Sequence, residues 1–421
     1  LRFPSIIFLL LFGFIAGPVT GFLQTNALMG DLLLHFVSLS VAVILFEGGL
    51  TLNVKELKEI GNVVFSLVSV GVLVAWGIGS VSAYYLLGLN IKISLLLGAI
   101  LVVTGPTVIG PLLRHIRPKG RVADILKWEG IVIDPIGAML ALLVFEGILV
   151  SGVNAGYMIA LSLGKTVLFG GLTGAVFAWL LWILLKNMWV PDFLQETVTL
   201  SIVVAAYLVS DLLQHESGLF ATTIMGIVMA NQKQVMLKHI LEFKENLRVL
   251  IISALFIILA SRLNIDVLTH ISLDSMLFLA VLIFVARPAT VFISSLRSKL
   301  HIREKLFLSW MAPRGIVAAA VASVFALRMA EQGIPQSEYL VPLTFIVIAS
   351  TVAIYGLTSK PVARWLRMAQ SNPQGILFVG AHSWVLQLAS AVREQGFKVA
   401  MVDTNKADVE RANAQGIPAF H

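Results

Sequence analysis

Twelve apolar stretches, each long enough to cross about 30 Å of hydrocarbon as a helix, constrain this chain more than any other feature. Backbone polar groups cannot be left unpaired in lipid, so such stretches must form helices that satisfy their own hydrogen bonds. Of the 421 residues, 13% are charged, whereas soluble domains carry about 25%. The sequence therefore predicts a polytopic α-helical membrane protein. The stretches lie near residues 3–19, 28–51, 62–88, 92–113, 122–150, 157–185, 195–213, 217–231, 246–262, 273–296, 305–330 and 339–359.

Basic residues mark one side of the predicted membrane domain. The loops after the even-numbered stretches carry most of them, and the opposite loops hold little beyond Lys92, Arg262 and Arg328. The positive-inside rule places the basic loops and the C-terminal region in the cytoplasm, as in the inner membrane of a prokaryote. Because most basic residues of the predicted membrane domain fall in these short loops, the net charge of +7 does not indicate a nucleic-acid partner. The basic positions are Lys55, Lys58, Arg114, Arg117, Lys119, Arg121, Lys186, Lys233, Lys238, Arg297, Lys299, Arg303, Lys360, Arg364 and Arg367.

One acid lies deep inside an apolar stretch. Asp134 follows Glu129-Gly130-Ile131-Val132-Ile133 and precedes Pro135. An aspartate at the centre of a membrane helix costs roughly 3 kcal/mol, so such residues usually serve ion or proton pathways. Pro135 has no N–H, which frees the carbonyl of Ile131 and predicts a helix break. We therefore predict that Asp134 and the Ile131 carbonyl bind a small hard cation or a proton. This is the predicted metal site, for a monovalent cation.

Two further stretches carry helix-breaking residues at their centres. The fourth contains Thr104-Gly105-Pro106-Thr107 and the eleventh contains Met311-Ala312-Pro313-Arg314-Gly315. They lie seven stretches apart, and an odd offset predicts opposite orientations, as in an inverted repeat with two broken helices crossing at the midplane. Gly105, Pro106 and Pro313 are the predicted break points. Thr104 and Thr107 either bind the ion or satisfy the interrupted backbone.

Three more charged residues within the predicted spans are candidates to contribute to the site or support it. Arg314 needs an anion, and Glu129 is the best candidate, because an unpaired buried charge is far costlier than a buried pair. Glu129 and Asp134 are five residues apart, about 140° around a helix, so one can pair with Arg314 while the other faces the ion. Glu47 lies near the cytoplasmic end of the second stretch, and it either contributes to the site or keeps its carboxylate in water.

The chain changes character after a linker at residues 367–374. Residues 375–421 read as strand, glycine turn, helix and strand, with Asp403 placed 23 residues after Gly380. This is the layout of a dinucleotide-binding βαβ unit, in which His382 and Val385 replace the second and third fingerprint glycines. We predict a partial α/β Rossmann-like domain, with Gly380, His382 and Asp403 as weak nucleotide-binding candidates. Half of a doubly wound sheet leaves an open edge, so the natural protein is expected to continue.

Four of these motifs carry a family resemblance over residues 1–366. Thr104-Gly105-Pro106, Glu129 to Asp134, Arg314-Gly315 and Phe46-Glu47-Gly48-Gly49 resemble motifs of the NhaP-like sodium/proton exchanger branch of the cation–proton antiporter superfamily. The residues after 374 resemble a TrkA-N/RCK-type nucleotide-binding regulatory domain. The family has thirteen helices, and Leu1-Arg2-Phe3-Pro4 resembles the start of the second, which implies that the first is absent here.

The resemblance implies a homodimer in which a fixed scaffold holds a moving core domain. It implies an essential aspartate, matched by Asp134, and ion contacts near Thr104, with an acid at the position of Glu47. An arginine–glutamate pair supporting the site is matched by Arg314 and Glu129. The chain departs from the family pattern where Gly105 replaces aspartate, Gly130 replaces serine and Ile133 replaces asparagine. The ion site has therefore lost polar ligands.

These features predict a secondary antiporter rather than an enzyme. A buried carboxylate is stable when neutralised by a proton or by a cation, so H⁺ and Na⁺ or K⁺ compete for Asp134. One titrating carboxylate predicts electroneutral exchange. No tightly bound cofactor is expected, although NAD(H), AMP or ATP could regulate through the C-terminal domain. The alternatives are a nucleotide-gated monovalent cation channel, a cation symporter and a membrane-bound NAD oxidoreductase. The expected partners are therefore Na⁺ or K⁺, H⁺, membrane lipid and a second copy of the chain.

Overall fold

The computed structural model describes residues 5–23, 32–149, 155–215, 217–235, 238–261, 273–369 and 375–421. The chain divides into two compact units, Leu1–Ala369 and Gln370–His421. Residues 1–4, the start of the second predicted span at 28–31 and part of the predicted linker, 370–374, lie outside the described residues.

Each of the twelve apolar stretches coincides, within the described ranges, with one helix or with a pair of half-helices. Six of the helices are long and apolar enough to cross a membrane by length and composition. The elements are α1 (Ser5–Phe14, continued by a π-helical turn Ile15–Val19), α2 (Leu32–Gly49), α3 (Val54–Leu87), α4 (Ile91–Ile100), α5 (Pro106–Ile116), α6 (Val122–Leu149), α7 (Ala155–Lys186), α8 (Asp192–Leu213), α9 (Ser217–Asn231), α10 (Lys238–Ala260), α11 (Leu273–Ser294), α12 (Ile302–Trp310), α13 (Ile316–Glu331) and α14 (Ser337–Trp365).

The helices of the first unit pack into two bundles. The site bundle contains α3–α6 and α11–α14, which correspond to two sets of three spans whose middle member is split into half-helices. The flanking bundle contains α1, α2 and α8–α10, with α7 packed against α8 and α9. The two bundles meet where α2 and α9 contact α6 and where α2 and α10 contact α13. The boundary between them is therefore lined by residues from both.

The two predicted helix interruptions are confirmed. A turn at residues 101–102 followed by non-helical backbone at 103–105 separates α4 from α5, and non-helical backbone at 311–315 separates α12 from α13. The two segments cross in direct contact, where the Gly105 N–H donates to the Pro313 carbonyl at 2.9 Å. A Cβ atom on Gly105 would lie 2.3 Å from the Gly315 Cα. The crossing therefore depends on a glycine in each of the two segments, Gly105 and Gly315.

The predicted helix break at Pro135 is wrong. Helix α6 runs without interruption from Val122 to Leu149, with Pro135 in its interior. Pro111 likewise lies within α5 rather than ending it. Proline is tolerated inside membrane helices because packing against neighbouring helices and local adjustments compensate for the lost hydrogen bond. The Ile131 carbonyl still lacks its N–H partner, since Pro135 has none to donate.

The second unit contains three parallel strands in the order β1–β2–β3, with two helices. The elements are β1 (Gly375–Val379), α15 (Ser383–Glu394), β2 (Lys398–Val402), α16 (Lys406–Ala414) and β3 (Ala419–Phe420). Its small core comes from both helices and the strands between them, including Leu386, Met401 and Ile417. The predicted strand–helix–strand order is present, and the assignment to a Rossmann-like regulatory domain stays a prediction.

Candidate cation site

Asp134 is the buried acid that the sequence singles out. Its side chain is 0% exposed, and neither carboxylate oxygen has a hydrogen-bond partner among the described residues. The buried hydroxyls of Thr104 and Thr107 also lack partners there. Buried polar groups in proteins are normally hydrogen-bonded, and an unpaired carboxylate is the costliest exception. These three side chains therefore offer oxygen atoms to a ligand such as a cation or a proton.

Asp134 lies on the face of α6 that packs against the helix crossing. A Cβ on Gly130 would lie 3.5 Å from the Pro106 Cα, and one on Gly137 would meet the Val103 side chain. At 100° per residue, Asp134 is about 40° from Gly130 and about 60° from Gly137 around the helix. Asp134 therefore lies on the side of α6 nearest the interrupted backbone of residues 101–105.

A cavity of about 370 Å³ lies between the two bundles. Its walls come from α2 and α10 of the flanking bundle and from α5 and α6 of the site bundle. Thr107 and Ile131 line it, as do Asp124 and Lys127 near the start of α6. The start of α6 adjoins the basic loop 117–121, so the cavity is on the side with the basic loops. It connects that side with the neighbourhood of the crossing.

The predicted pairing of Glu129 with Arg314 is wrong. Glu129 is buried against Arg287 of α11, which donates hydrogen bonds to both carboxylate oxygens. The Arg287 Nη1 donates to the Glu129 Oε1, and the Arg287 Nη2 donates to the Glu129 Oε2 at 2.9 Å. The Arg287 Nε also donates to the Leu308 carbonyl at 3.1 Å. Sequence reasoning missed Arg287, although an arginine inside an apolar stretch is itself a signal that an anion lies nearby.

Arg314 is satisfied by the interrupted backbone instead. Its Nη1 donates to the Val102 carbonyl at 3.0 Å and to the Val103 carbonyl at 3.3 Å. Its own N–H donates to the Thr351 hydroxyl at 3.2 Å. These carbonyls follow the C-terminal end of the half-helix α4, where a helix attracts positive charge. Arg314 therefore stabilises the crossing directly, and the buried carboxylate of Glu129 is left to Arg287.

Glu47 is buried rather than in water. Its Oε1 forms an ion pair at 3.1 Å with the Arg248 Nη1 of α10. Arg248 also lines the 370 Å³ cavity. The alternative in which Glu47 keeps its carboxylate in solvent is thus wrong, and a direct role in ion binding stays a prediction.

The three departures from the family pattern are all buried. A Cβ at Gly105 would clash with the Gly315 backbone, and one at Gly130 would lie 3.2 Å from the Ile109 side chain. Ile133 packs with Val72 and Val102 in a small apolar cluster. Packing therefore occupies the positions at which the family resemblance implies polar side chains.

We expect a double-mutant cycle to separate the two candidate partners of Glu129. Combining Glu129→Gln with Arg287→Gln should show a coupling energy of about 1–3 kcal/mol, because the two side chains share a buried bidentate ion pair. The cycle of Glu129→Gln with Arg314→Gln should show less. Thermal unfolding of the purified protein in detergent provides the measurement. Equal coupling in the two cycles would contradict the observed pairing.

The nucleotide candidates lie together where the paired strands β1 and β2 end: Gly380 and His382 follow β1, and Asp403 follows β2. Gly380 has φ +100°, a conformation that favours glycine, and His382 is the exposed residue preceding α15. The Asp403 carboxylate accepts the Ala381 N–H at 2.5 Å and the Asn405 N–H at 2.8 Å. These backbone donors hold the pKa of Asp403 below its ordinary value. Nucleotide binding by these residues stays a prediction.

Residues 1–365 match the sodium/hydrogen exchanger transmembrane family. The chain therefore belongs to this family of cation–proton antiporters and is an integral membrane protein. The match ends before the C-terminal unit.

Curated relatives of the chain are named as cation–proton antiporters. The chain is 26% identical over 376 residues to the K(+)/H(+) antiporter NhaP of Alkalimonas amylolytica, covering 88% of this chain and 64% of that protein. It is 26% identical over 374 residues to Na(+)/H(+) antiporter 1 of Methanocaldococcus jannaschii, covering 84% of this chain and 85% of that protein. The chain thus spans less than two thirds of the Alkalimonas relative.

A solved structure supports the fold. The sodium proton antiporter MjNhaP1 from Methanocaldococcus jannaschii at pH 8 matches with a TM-score of 0.75 and 22% identity, covering 86% of this chain and 92% of that one. The polytopic helical antiporter fold predicted from sequence is therefore confirmed.

Proposed function

We propose that this protein exchanges a monovalent cation, Na⁺ or K⁺, for H⁺ across the membrane, with both ions competing for Asp134. The observation that carries the proposal is a fully buried carboxylate without a hydrogen-bond partner among the described residues, facing a helix crossing. A carboxylate in that position needs either a proton or a cation to neutralise it. The antiporter relatives support the same reaction class.

The arrangement of the bundles provides a route for alternating access. The 370 Å³ cavity opens the site region toward the basic loops. A second cavity of about 600 Å³ lies between α2, α8 and α13 near the other ends of these helices, lined by residues such as His35, Asp211 and Arg328. A group of apolar side chains lies between the bundles where α2, α9 and α13 meet. It includes Val41, Leu219 and Phe325. Movement of the site bundle past these side chains would expose Asp134 to one cavity at a time.

Coupling follows from the charge on the moving bundle. An empty, ionised Asp134 would carry an uncompensated charge through the apolar boundary, which costs several kcal/mol. The proton-bound and cation-bound forms are neutral at that position and can cross. One carboxylate binding one ion of either kind gives electroneutral exchange. Arg287 holds the Glu129 carboxylate, and Arg314 donates to backbone carbonyls, so we assign the binding of the exchanged ions to Asp134 alone.

The finer predictions extend this proposal. We propose a homodimer with the C-terminal unit in the cytoplasm, where an adenine nucleotide would regulate exchange through Gly380, His382 and Asp403. The choice between Na⁺ and K⁺ depends on how the oxygens of Thr104, Thr107 and the backbone surround the ion. Relatives named for each cation are found.

Dequenching of a pH-sensitive dye in everted membrane vesicles tests the exchange. We expect addition of Na⁺ or K⁺ to release protons, choline to have no effect, and collapse of the membrane potential to leave the rate unchanged. Cation movement without proton movement would indicate a channel and contradict the proposal. Proton movement in the same direction as the cation would indicate a symporter.

A further inference from the structure

We propose that Asp124 is a capture carboxylate, a second acid that draws the cation into the 370 Å³ cavity before it reaches Asp134. This inference rests on the proposed exchange function and adds a step to it. The carboxylate lies near the start of α6, at the end of the helix nearest the basic loops.

Asp124 shares one helix face with other residues of the cavity wall. Asp124, Lys127 and Ile131 are spaced three and four residues apart, so they form a stripe along α6, and all three line the cavity. The ten residues from Asp124 to Asp134 correspond to about 15 Å along the helix. A cation that leaves Asp124 and moves along this stripe passes Ile131, whose carbonyl has no helical donor, one turn before Asp134.

The charges around the cavity leave Asp124 as its source of negative potential. Of the two cations in its wall, Lys127 is 3.4 Å from Glu56 and Arg248 is 3.1 Å from Glu47. Glu56 is held in place by the Trp128 indole N–H at 2.7 Å. Each wall cation thus has its own carboxylate within ion-pair distance, whereas Asp124 forms no ion pair among the described residues.

A buried hydroxyl in the same cavity points to a ligand. Thr107 is 6% exposed, lines the cavity, and has no hydrogen-bond partner for Oγ1 among the described residues. A hydroxyl and a carboxylate are the oxygen ligands that hard cations prefer. The cavity also has room for a cation with its first hydration shell, since six waters occupy on the order of 180 Å³ at about 30 Å³ each. We therefore infer a hydrated monovalent cation as the occupant.

The test is cation-concentration dependence of proton release in everted vesicles carrying the full chain. Asp124→Asn should raise the apparent KM for the cation about 3–10-fold without changing the maximal rate, because a charge in a partly solvated cavity acts on ion concentration. High choline chloride should shrink the difference by screening. Asp124→Glu should restore the KM.

Two further variants provide a control and a change of opposite sign. Glu59→Gln is the matched control, because Glu59 is on the same side, is 66% exposed, pairs with Arg121 and is not part of the cavity wall; its KM should be unchanged. Lys127→Gln removes a wall cation and should lower the KM. An unchanged KM in Asp124→Asn, a loss of maximal rate alone, or a raised KM in Lys127→Gln would overturn the proposal. Absence of any exchange in the unmodified protein would instead overturn the proposed function.

Discussion

Asp134→Asn is expected to abolish cation-triggered proton release while leaving the protein folded. Asparagine has the shape of aspartate and no charge, so it fits the buried position without a new clash. It removes the group for which H⁺ and the cation would compete, so neither ion can drive the other. The expected loss is complete, because no other buried carboxylate among the described residues is left without a partner.

Two measurements separate this result from misfolding. The variant should reach the membrane and unfold in detergent at the same temperature as the unmodified protein or higher, since an unpaired buried charge is destabilising. Added Na⁺ or K⁺ should raise the unfolding temperature of the unmodified protein, because a ligand that binds the native state stabilises it, and should lose this effect in Asp134→Asn. Asp274→Asn, an exposed acid at the start of α11, is the matched control. Normal exchange by a folded Asp134→Asn protein would exclude competition at this carboxylate.

Gly105→Ala is expected to disrupt the site by adding atoms to the helix crossing, whereas Asp134→Asn removes a charge. The new Cβ would lie 2.3 Å from the Gly315 Cα and 2.8 Å from the Gly315 nitrogen. Both are backbone atoms, so no rotamer change relieves the clash and the two interrupted spans must separate. Overpacking typically costs about 1–3 kcal/mol, and we expect a lowered unfolding temperature together with loss of exchange.

A matched glycine controls for the substitution itself. Gly77 lies on α3 of the same bundle, where an added Cβ has nothing within 4 Å. Gly77→Ala should leave exchange unchanged and stabilise the helix slightly. Full exchange and an unchanged unfolding temperature in Gly105→Ala would show that the crossing is looser than the structure describes.

The same close contact bears on why glycine occupies position 105, where the family resemblance implies aspartate. Gly105→Asp would introduce the residue that the family resemblance implies at this position, and its Cβ would meet the same Gly315 backbone. The glycine is therefore a packing requirement of this crossing as well as a lost polar group. We expect Gly105→Asp to be at least as damaging as Gly105→Ala.

Local features of the sequence were sufficient for much of this fold. Hydropathy located the twelve apolar stretches that form helices or pairs of half-helices within the described residues, because a backbone in lipid must form helices over about 20 residues. Glycine and proline at residues 105, 106 and 313 placed both interruptions, since these residues change the backbone where they stand. Asp134 was identifiable because a charge inside an apolar run is costly wherever the run packs. The break predicted at Pro135 is wrong because α6 continues through this residue, packed against neighbouring helices.

Only the tertiary structure decided which charges meet. The buried Glu129 requires a cation, and the sequence offers two arginines within apolar stretches, Arg287 and Arg314. Arg287 is 158 residues away along the chain, and the packing of α11 brings it alongside Glu129. Arg314 meets the Val102 and Val103 carbonyls because the two non-helical segments cross. The Glu47–Arg248 pair and the cavity beside it likewise depend on how two bundles meet. Spacing along a chain determines which groups need a partner, whereas long-range packing determines which partner lies within reach.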